Sequence, residues 1–337
     1  MQRKRKKLLF FLILFWGFIF SFPYVCCVLA HFIDEDVFIG RDGYNLDDHR
    51  MGRDILLEIN GLYKSVDVEE YVVGVMAGVI PADYNMEALK TQAVLIRTNV
   101  LKEMEEKNTK DAADISYDYL TKEDRKMLWG RVNNDKYERR IQKAVCSTAG
   151  KVIRKENSLI MALYHEVSIG KTADAKEVLD EDISYLKSVD SSQDVEAKNY
   201  MNIYTYSWQE LSNKLNNAVQ EEPIDKDISS EESNADLTGD KIEISIEEST
   251  ENGFVKKVSV NGIIYMGQEI ADMLELPSIN YYVETLEDGV RFVCLGKGSC
   301  LGVSQYGANC MADEGKTMKD IIEYYYKDVS IESVFNN

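Results

Sequence analysis

Apolar and polar positions alternate along this chain in two periods, and the switches between them mark out its elements. Residues 55–59 and 62–66 are short runs flanking Asn60-Gly61, a dipeptide that accepts the positive φ of a tight turn, so a β-hairpin is expected. The period then changes. Val68, Val72, Val75 and Val79 fall at helical spacing, with Asp67 as N-cap and Glu70 placed to complete a capping box. Pro81 has no N–H and its ring crowds the preceding turn, so this helix stops before it. A second helix starts near Asn85 or Met86. Its spacing buries Leu89, Ala93, Ile96 and Val100, turns Glu87, Lys90, Val94 and Arg97 to another face, and leaves Gln92 at the boundary. The stretch from Asp67 to Val100 thus reads as helix, loop, helix, and the rest of the chain is organised around it.

Further along, residues 102–140 carry dense mixed charge, with helices expected at 121–128 (Thr121 as cap) and 135–146. Strands follow at 151–154 and 159–164. A helix capped by Ser207 begins at Trp208. Residues 217–240 are acidic, lack aromatics and bury little, so they read as an exposed loop. Strands at 242–246, 255–260 and 263–266 (around Asn261-Gly262), a helix at 268–274 and a hairpin at 281–295 complete an α+β pattern of mixed helices and antiparallel strands. The chain closes with a glycine-rich block over 296–309 and a stretch running to Asn337.

The first thirty residues differ from all this. Basic residues 2–7 precede an uncharged apolar run over 8–30, long enough to cross a bilayer with the N-terminus inside and the remainder outside. An uncleaved anchor is favoured over a signal peptide cut after Ala30. Residues 31–53 read as a tether, and 54–335 as one extracytoplasmic body with the 217–240 loop inserted. Net charge is −19 over 337 residues, which excludes nucleic acid as a partner and argues against a direct grip on anionic lipid or wall polymers. A neutral sugar backbone is compatible with it. Of six cysteines, Cys26 and Cys27 fall in the apolar run. Cys146, Cys294, Cys300 and Cys310 match no compact disulfide framework, so their pairing stays open.

The residues Pro81, Glu87-Ala88-Leu89-Lys90, Gln92-Ala93-Val94 and Arg97 resemble the stage II sporulation protein D family, which includes amidase enhancers. Tyr164 to Thr172 is similar to a second block of that family, and Ser304-Gln305-Tyr306-Gly307-Ala308 matches a third residue for residue. The resemblance also implies a strand at 185–189 and C-terminal helices at 311–313 and 318–326, and it spans about residues 55–331. It implies a peptidoglycan-directed protein of sporulation, acting in engulfment, with glycan strands, a cell-wall amidase and other membrane sporulation proteins as partners. Many members are lytic transglycosylases whose acid/base is a glutamate just before Met-Pro. In this chain that position is Val79, and Ser299 and Cys300 replace the family's histidine and glycine in the third block.

A lytic transglycosylase needs a carboxylic acid that protonates the glycosidic oxygen and then takes the proton of the muramyl hydroxyl. Valine cannot do this. Among the remaining carboxylates, Glu166 and Asp83 are the candidate acids; Glu87 reads as a first-turn helix charge and Asp174 as a loop residue. Gln92, Arg97, His165, Ser304, Gln305 and Tyr306 are the candidate substrate-binding residues, Ser304, Gln305 and Tyr306 because they suit hydrogen bonding and stacking on sugars. Gln92 and Arg97 could equally tie the helix pair to the sheet. His165 and Cys146 make at most half a zinc site, and a histidine bonded to backbone is favoured, so neither metal nor cofactor is expected. Two functions are open: a binding and remodelling protein without chemistry that recruits or stimulates an amidase, and an active transglycosylase with a relocated acid.

Overall fold

The computed structural model describes residues 45–221 and 242–336. The expected membrane span at 8–30 lies outside the described residues, as do most of the tether and most of the acidic loop. Among the described residues no helix is long and apolar enough to cross a membrane.

β1 (Asp54–Ile59) and β2 (Leu62–Asp67) pair antiparallel, and Asn60 and Gly61 sit at φ 54° and 77°, the positive pair of a two-residue I′ turn. The chain runs directly from β2 into α1 (Val68–Val79). The expected box with Glu70 is replaced by a wider cap. The Asp67 carboxylate accepts the N–H of Glu69 at 3.0 Å and those of Met51 and Gly52 at 3.1 and 2.9 Å, so it fastens the incoming chain as well as the helix. Residues 46–49 form a 3-10 turn, and Leu46 and Met51 pack on the first core. The end of the expected tether is therefore part of the folded body.

α2 (Met86–Glu106), capped by Asn85, departs most from its sequence reading. Leu89, Ala93, Ile96 and Val100 face a core shared with α1 and with α3 (Lys122–Ser147), while Ala88, Val94 and Leu95 face a second core. The helix is sandwiched, so the second face expected through Val94 and Arg97 lies as deep as the first; both are fully buried. α3 joins the two expected charged helices across a break at Gly130 (φ 67°, ψ 172°), and Thr121 and Asp124 cap it reciprocally.

β3 (Lys151–Lys155) and β4 (Ser158–Leu159) make a short antiparallel pair. The expected strand over 159–164 stops there, and β5 (Tyr164–His165) instead runs parallel to residues 303–304. After the single turn of α4 (Ala175–Val178), residues 185–189 join no ladder; Val189 is held by Thr172 through backbone and hydroxyl bonds of 2.9 Å. β6 (Met201–Ser207), α5 (Trp208–Glu221), β7 (Ile244–Ser249), β8 (Val255–Val260), β9 (Ile263–Met266), α6 (Gly267–Met273), β10 (Tyr281–Thr285) and β11 (Gly289–Leu295) follow. α5 takes up residues 217–221, which the sequence reading gave to the loop.

These elements share a third core, built from the sheets β10-β11-β6 and β7-β8-β9 with α5 and α6. The module leaves and rejoins the chain at one place, where Gly296 N–H donates to the Tyr200 carbonyl at 2.7 Å. β12 (Val303–Ser304), α7 (Gln305–Asp313) and α8 (Met318–Tyr325) then close the second core, and β13 (Ser330–Ser333) adds to the far side of β3. The architecture is α+β with antiparallel sheets, the β5–β12 pair excepted.

Candidate functional site

Three segments far apart in sequence meet at the C-terminal end of α1. Val79, the last residue of that helix, is half-buried, and its carbonyl accepts from Gln305 Nε2 at 2.8 Å. The same amide nitrogen donates to Gln92 Oε1 at 3.2 Å, so Gln305 joins the start of α7 to both helices of the central pair. Ser304 is the N-cap of α7, its hydroxyl accepting Gly307 N–H at 3.1 Å. The loop after α1 is fastened from the same side. Asn85 N–H donates to Asn309 Oδ1 at 2.7 Å and Asn85 Nδ2 to Asp313 Oδ1 at 3.0 Å. Glu87 accepts Met318 N–H at 2.8 Å, at the start of α8, and pairs with Lys90 at 2.6 Å.

Above this floor lies a polar rim around Tyr84. Burial, followed by the negative charges of Glu166 and Asp83 and by Tyr306 and Cys310, pushes its phenol up to about 12. Asp83 and Glu166, 83 positions apart in sequence, therefore share the surroundings of one hydroxyl. Asp83 is exposed on the loop. Glu166 has Lys297 Nζ at 2.6 Å and accepts from Asn199 Nδ2, while its backbone carbonyl accepts Tyr306 N–H at 3.1 Å. With one oxygen on an ammonium and the other on an amide donor, Glu166 is arranged to accept hydrogen bonds. A general acid has to present a proton instead.

The candidate binding residues separate by depth. Gln92, Arg97, His165, Ser304 and Gln305 are at most 3% exposed, and only Tyr306 reaches solvent. Arg97 clasps Glu69 through Nε (2.9 and 3.1 Å) and Nη2 (2.6 Å), and its remaining donors go to the carbonyls of Lys151 and Val145. It ties α1, α2, α3 and β3 together below the surface. His165 donates from Nδ1 to the Leu301 carbonyl at 3.0 Å, and burial drives its basicity down to about 4, so the ring is neutral. Its Nε2 and Asp194 Oδ1 are buried without a hydrogen-bond partner. Asp174 caps α4 through Lys176 N–H at 2.9 Å.

Cys146, Cys294 and Cys300 are buried free thiols and Cys310 a half-buried one. Cys300 adopts φ 58°, a backbone shape suited to the glycine found there in the resemblance. Among the described residues no three His, Cys, Asp or Glu side chains are placed to share a metal ion. Hollows of about 630 Å³ beside Ile242 and Thr285 and about 530 Å³ between α8 and β13 are not lined by any residue of this site. Three rim residues escaped the sequence reading. Tyr84 and Lys297 lie inside blocks that were singled out, next to residues that drew more notice. Asn199 carries no pattern at all.

Comparison with known proteins identifies the relatives of this chain. A family described as "Stage II sporulation protein" matches residues 60–154, which hold β2, the central helix pair, α3 and most of β3. Stage II sporulation protein D of Bacillus subtilis is 31% identical over 280 residues, covering 81% of this chain and 76% of that protein. The protein of the same name from Bacillus amyloliquefaciens is 30% identical over the same shares. An amidase enhancer of Bacillus subtilis is 23% identical over 77% of this chain and 40% of its own length.

Proposed function

The chain belongs to the stage II sporulation protein D family, and from that premise we propose that it binds peptidoglycan glycan strands during sporulation without cutting them and supports a cell-wall amidase. The observation that carries this is Val79. It ends α1 at the position where the family resemblance expects the acid, within one hydrogen bond of the Gln305–Gln92 link, and it has no proton to give. Neighbouring groups suit binding better than cleavage. A phenol raised to about 12, as at Tyr84, donates hydrogen bonds to sugar oxygens and does not protonate a leaving group. Tyr306 offers a ring for stacking, and Asn199 and Lys297 flank the same rim. The amidase enhancer among the relatives supports the partner part of the reading.

In this reading the apolar run at 8–30 anchors the chain in a membrane with its N-terminus in the cytoplasm, and the folded body works outside. Residues 31–45 and 222–240 act as tether and exposed loop.

The test is a muropeptide digest. Full-length protein incubated with isolated sacculi is expected to sediment with them and to release no anhydro-muramyl products above background. Val79→Glu is expected to release them, since acid/base assistance is worth about two to four orders of magnitude in rate. Abundant anhydro products from the unmodified chain would overturn the reading. The alternative, a relocated acid, rests on the position of Asp83 beside Tyr84; in that case Asp83→Asn would abolish those products.

A further inference from the structure

α3 is the cationic element of an acidic chain. It carries eight Lys or Arg against four Asp or Glu, whereas the whole protein stands at −19. Its break at Gly130 makes an apex, and the backbone there (φ 67°, ψ 172°) is a shape that essentially only glycine adopts. No atom lies within 4 Å of where a Cβ on Gly130 would point, so the apex projects into open space.

The two arms behind the apex are braced. Arg125, 1% exposed, grips Glu138 on the other arm with two bonds of 2.8 Å and gives a third, also 2.8 Å, to the Leu120 carbonyl. Trp129 meets Tyr137 edge to face at 6.0 Å. A corner held this firmly is not a frayed loop, yet it displays Met127, Leu128 and Val132 at 76, 58 and 91% exposure. Lys126 and Arg131 stand beside them, also exposed. Nothing in the folding of the rest of the chain requires apolar side chains at this point.

We propose that the Gly130 apex of α3 docks on an anionic lipid surface, inserting Met127, Leu128 and Val132 among the acyl chains while Lys126 and Arg131 meet the phosphates. Apolar side chains projecting from a cationic element match a surface that is negatively charged outside and hydrocarbon beneath. A purely polar anionic polymer would give the apolar tip nothing. The negative net charge, which argued against a grip on anionic lipid, acts weakly at the apex, because screening restricts each charge to about 8–10 Å at moderate salt. The inference relies on the anchored topology proposed above only to bring the apex near a bilayer.

The test uses full-length protein in detergent, in phosphatidylcholine vesicles and in vesicles that also contain phosphatidylglycerol. Flotation reports anchoring, and hydrogen exchange at amides 126–133 reports docking. Slowed exchange on the anionic vesicles alone is expected. Met127→Asp combined with Val132→Asp should abolish it, and both sites are exposed, so the fold should tolerate the change. Lys126→Gln and Arg131→Gln should each weaken the dependence on anionic lipid about fivefold. Chain that floats but shows identical exchange in all three conditions overturns the docking and leaves the anchor standing. Chain that neither floats nor gains protection overturns both. Protection on anionic vesicles that salt removes along with the protein supports the apex and overturns the anchor. Equal protection on both vesicle types overturns the anionic preference. Protection in detergent that grows with protein concentration, or only on addition of a cell-wall amidase, assigns the apex to a protein partner and overturns the proposal.

Discussion

Two ion pairs flank the candidate site, and they do opposite things. Arg97–Glu69 closes at 2.6 Å with side chains 0 and 1% exposed, and Glu69 also takes Gly150 N–H at 2.9 Å. Lys297–Glu166 closes at the same 2.6 Å with side chains 47 and 33% exposed. Distance does not separate them; surroundings do. In the first pair both charges have left water and every donor is matched by protein, so removing either partner strands a charge in the interior. In the second, water competes for both ends, and either partner can exchange the other for a ligand at small cost. The buried pair sets where the helices lie. Under the proposed function, the rim pair is what a glycan engages.

The comparison breaks first at Arg97. Arg97→Met should destabilise the fold by about 3–5 kcal/mol, because Glu69 keeps its charge and loses its partner. Glu69→Gln combined with Arg97→Met should recover a large part of that loss. Urea midpoints of the single and double variants decide this, and a single variant as stable as the parent would refute the assignment of Arg97 as a strut.

A buried titratable group without an ionic partner sharpens the contrast. His165 binds its proton near 4 when folded, against about 6.5 for an ordinary histidine. As pH falls through that window the unfolded chain takes up a proton that the folded chain refuses, so stability drops with acidification. The drop from this ring should reach about 2–3 kcal/mol between about pH 7 and about pH 4.5. Comparing urea midpoints at both pH values in the parent and in His165→Gln isolates it. An unchanged pH slope in the variant would show that the ring is not the cause.

The smallest effect belongs to the rim. Lys297→Met should change stability by less than about 1 kcal/mol, because the pair is exposed. It should nevertheless alter sedimentation with sacculi. A large loss of stability would mean that the rim pair is structural too.

Much of this was legible in the chain. Asn60-Gly61 and Asn261-Gly262 both form the turns their φ preferences demand, and Thr121, Ser207 and Asn85 cap the helices they precede. The Val79–Gln92–Gln305 cluster joins the first and third motif blocks, although nothing local announced that one amide would link all three residues. What the sequence hid was depth. The pattern puts Val94 and Arg97 on a second face of α2 without showing what covers it. The second core, assembled from residues up to Tyr326, covers Val94, and Glu69 with the Lys151 and Val145 carbonyls covers Arg97. Conversely, residues 185–189 have strand composition and no strand beside them, because a ladder depends on a neighbour that composition does not supply. Arg97 was singled out as a ligand contact for the property that makes it a good strut, a planar fork of donors.

The position of α2 between two cores has a consequence in time. The first core closes with residues up to Leu159, most of them near neighbours along the chain. The second side of α2, with Ala88, Val94 and Leu95, waits for Ile321 and Tyr325. At about 5–20 residues per second, ribosomes need on the order of ten seconds to most of a minute to reach them. Ile153, Ile160 and Ala162 are made early and cover part of that side, but its final cover is missing throughout the interval. A product truncated before α8 never gains it, so premature termination yields a nearly full-length chain with an apolar patch left open, and shielding that patch until synthesis ends becomes a task for chaperones.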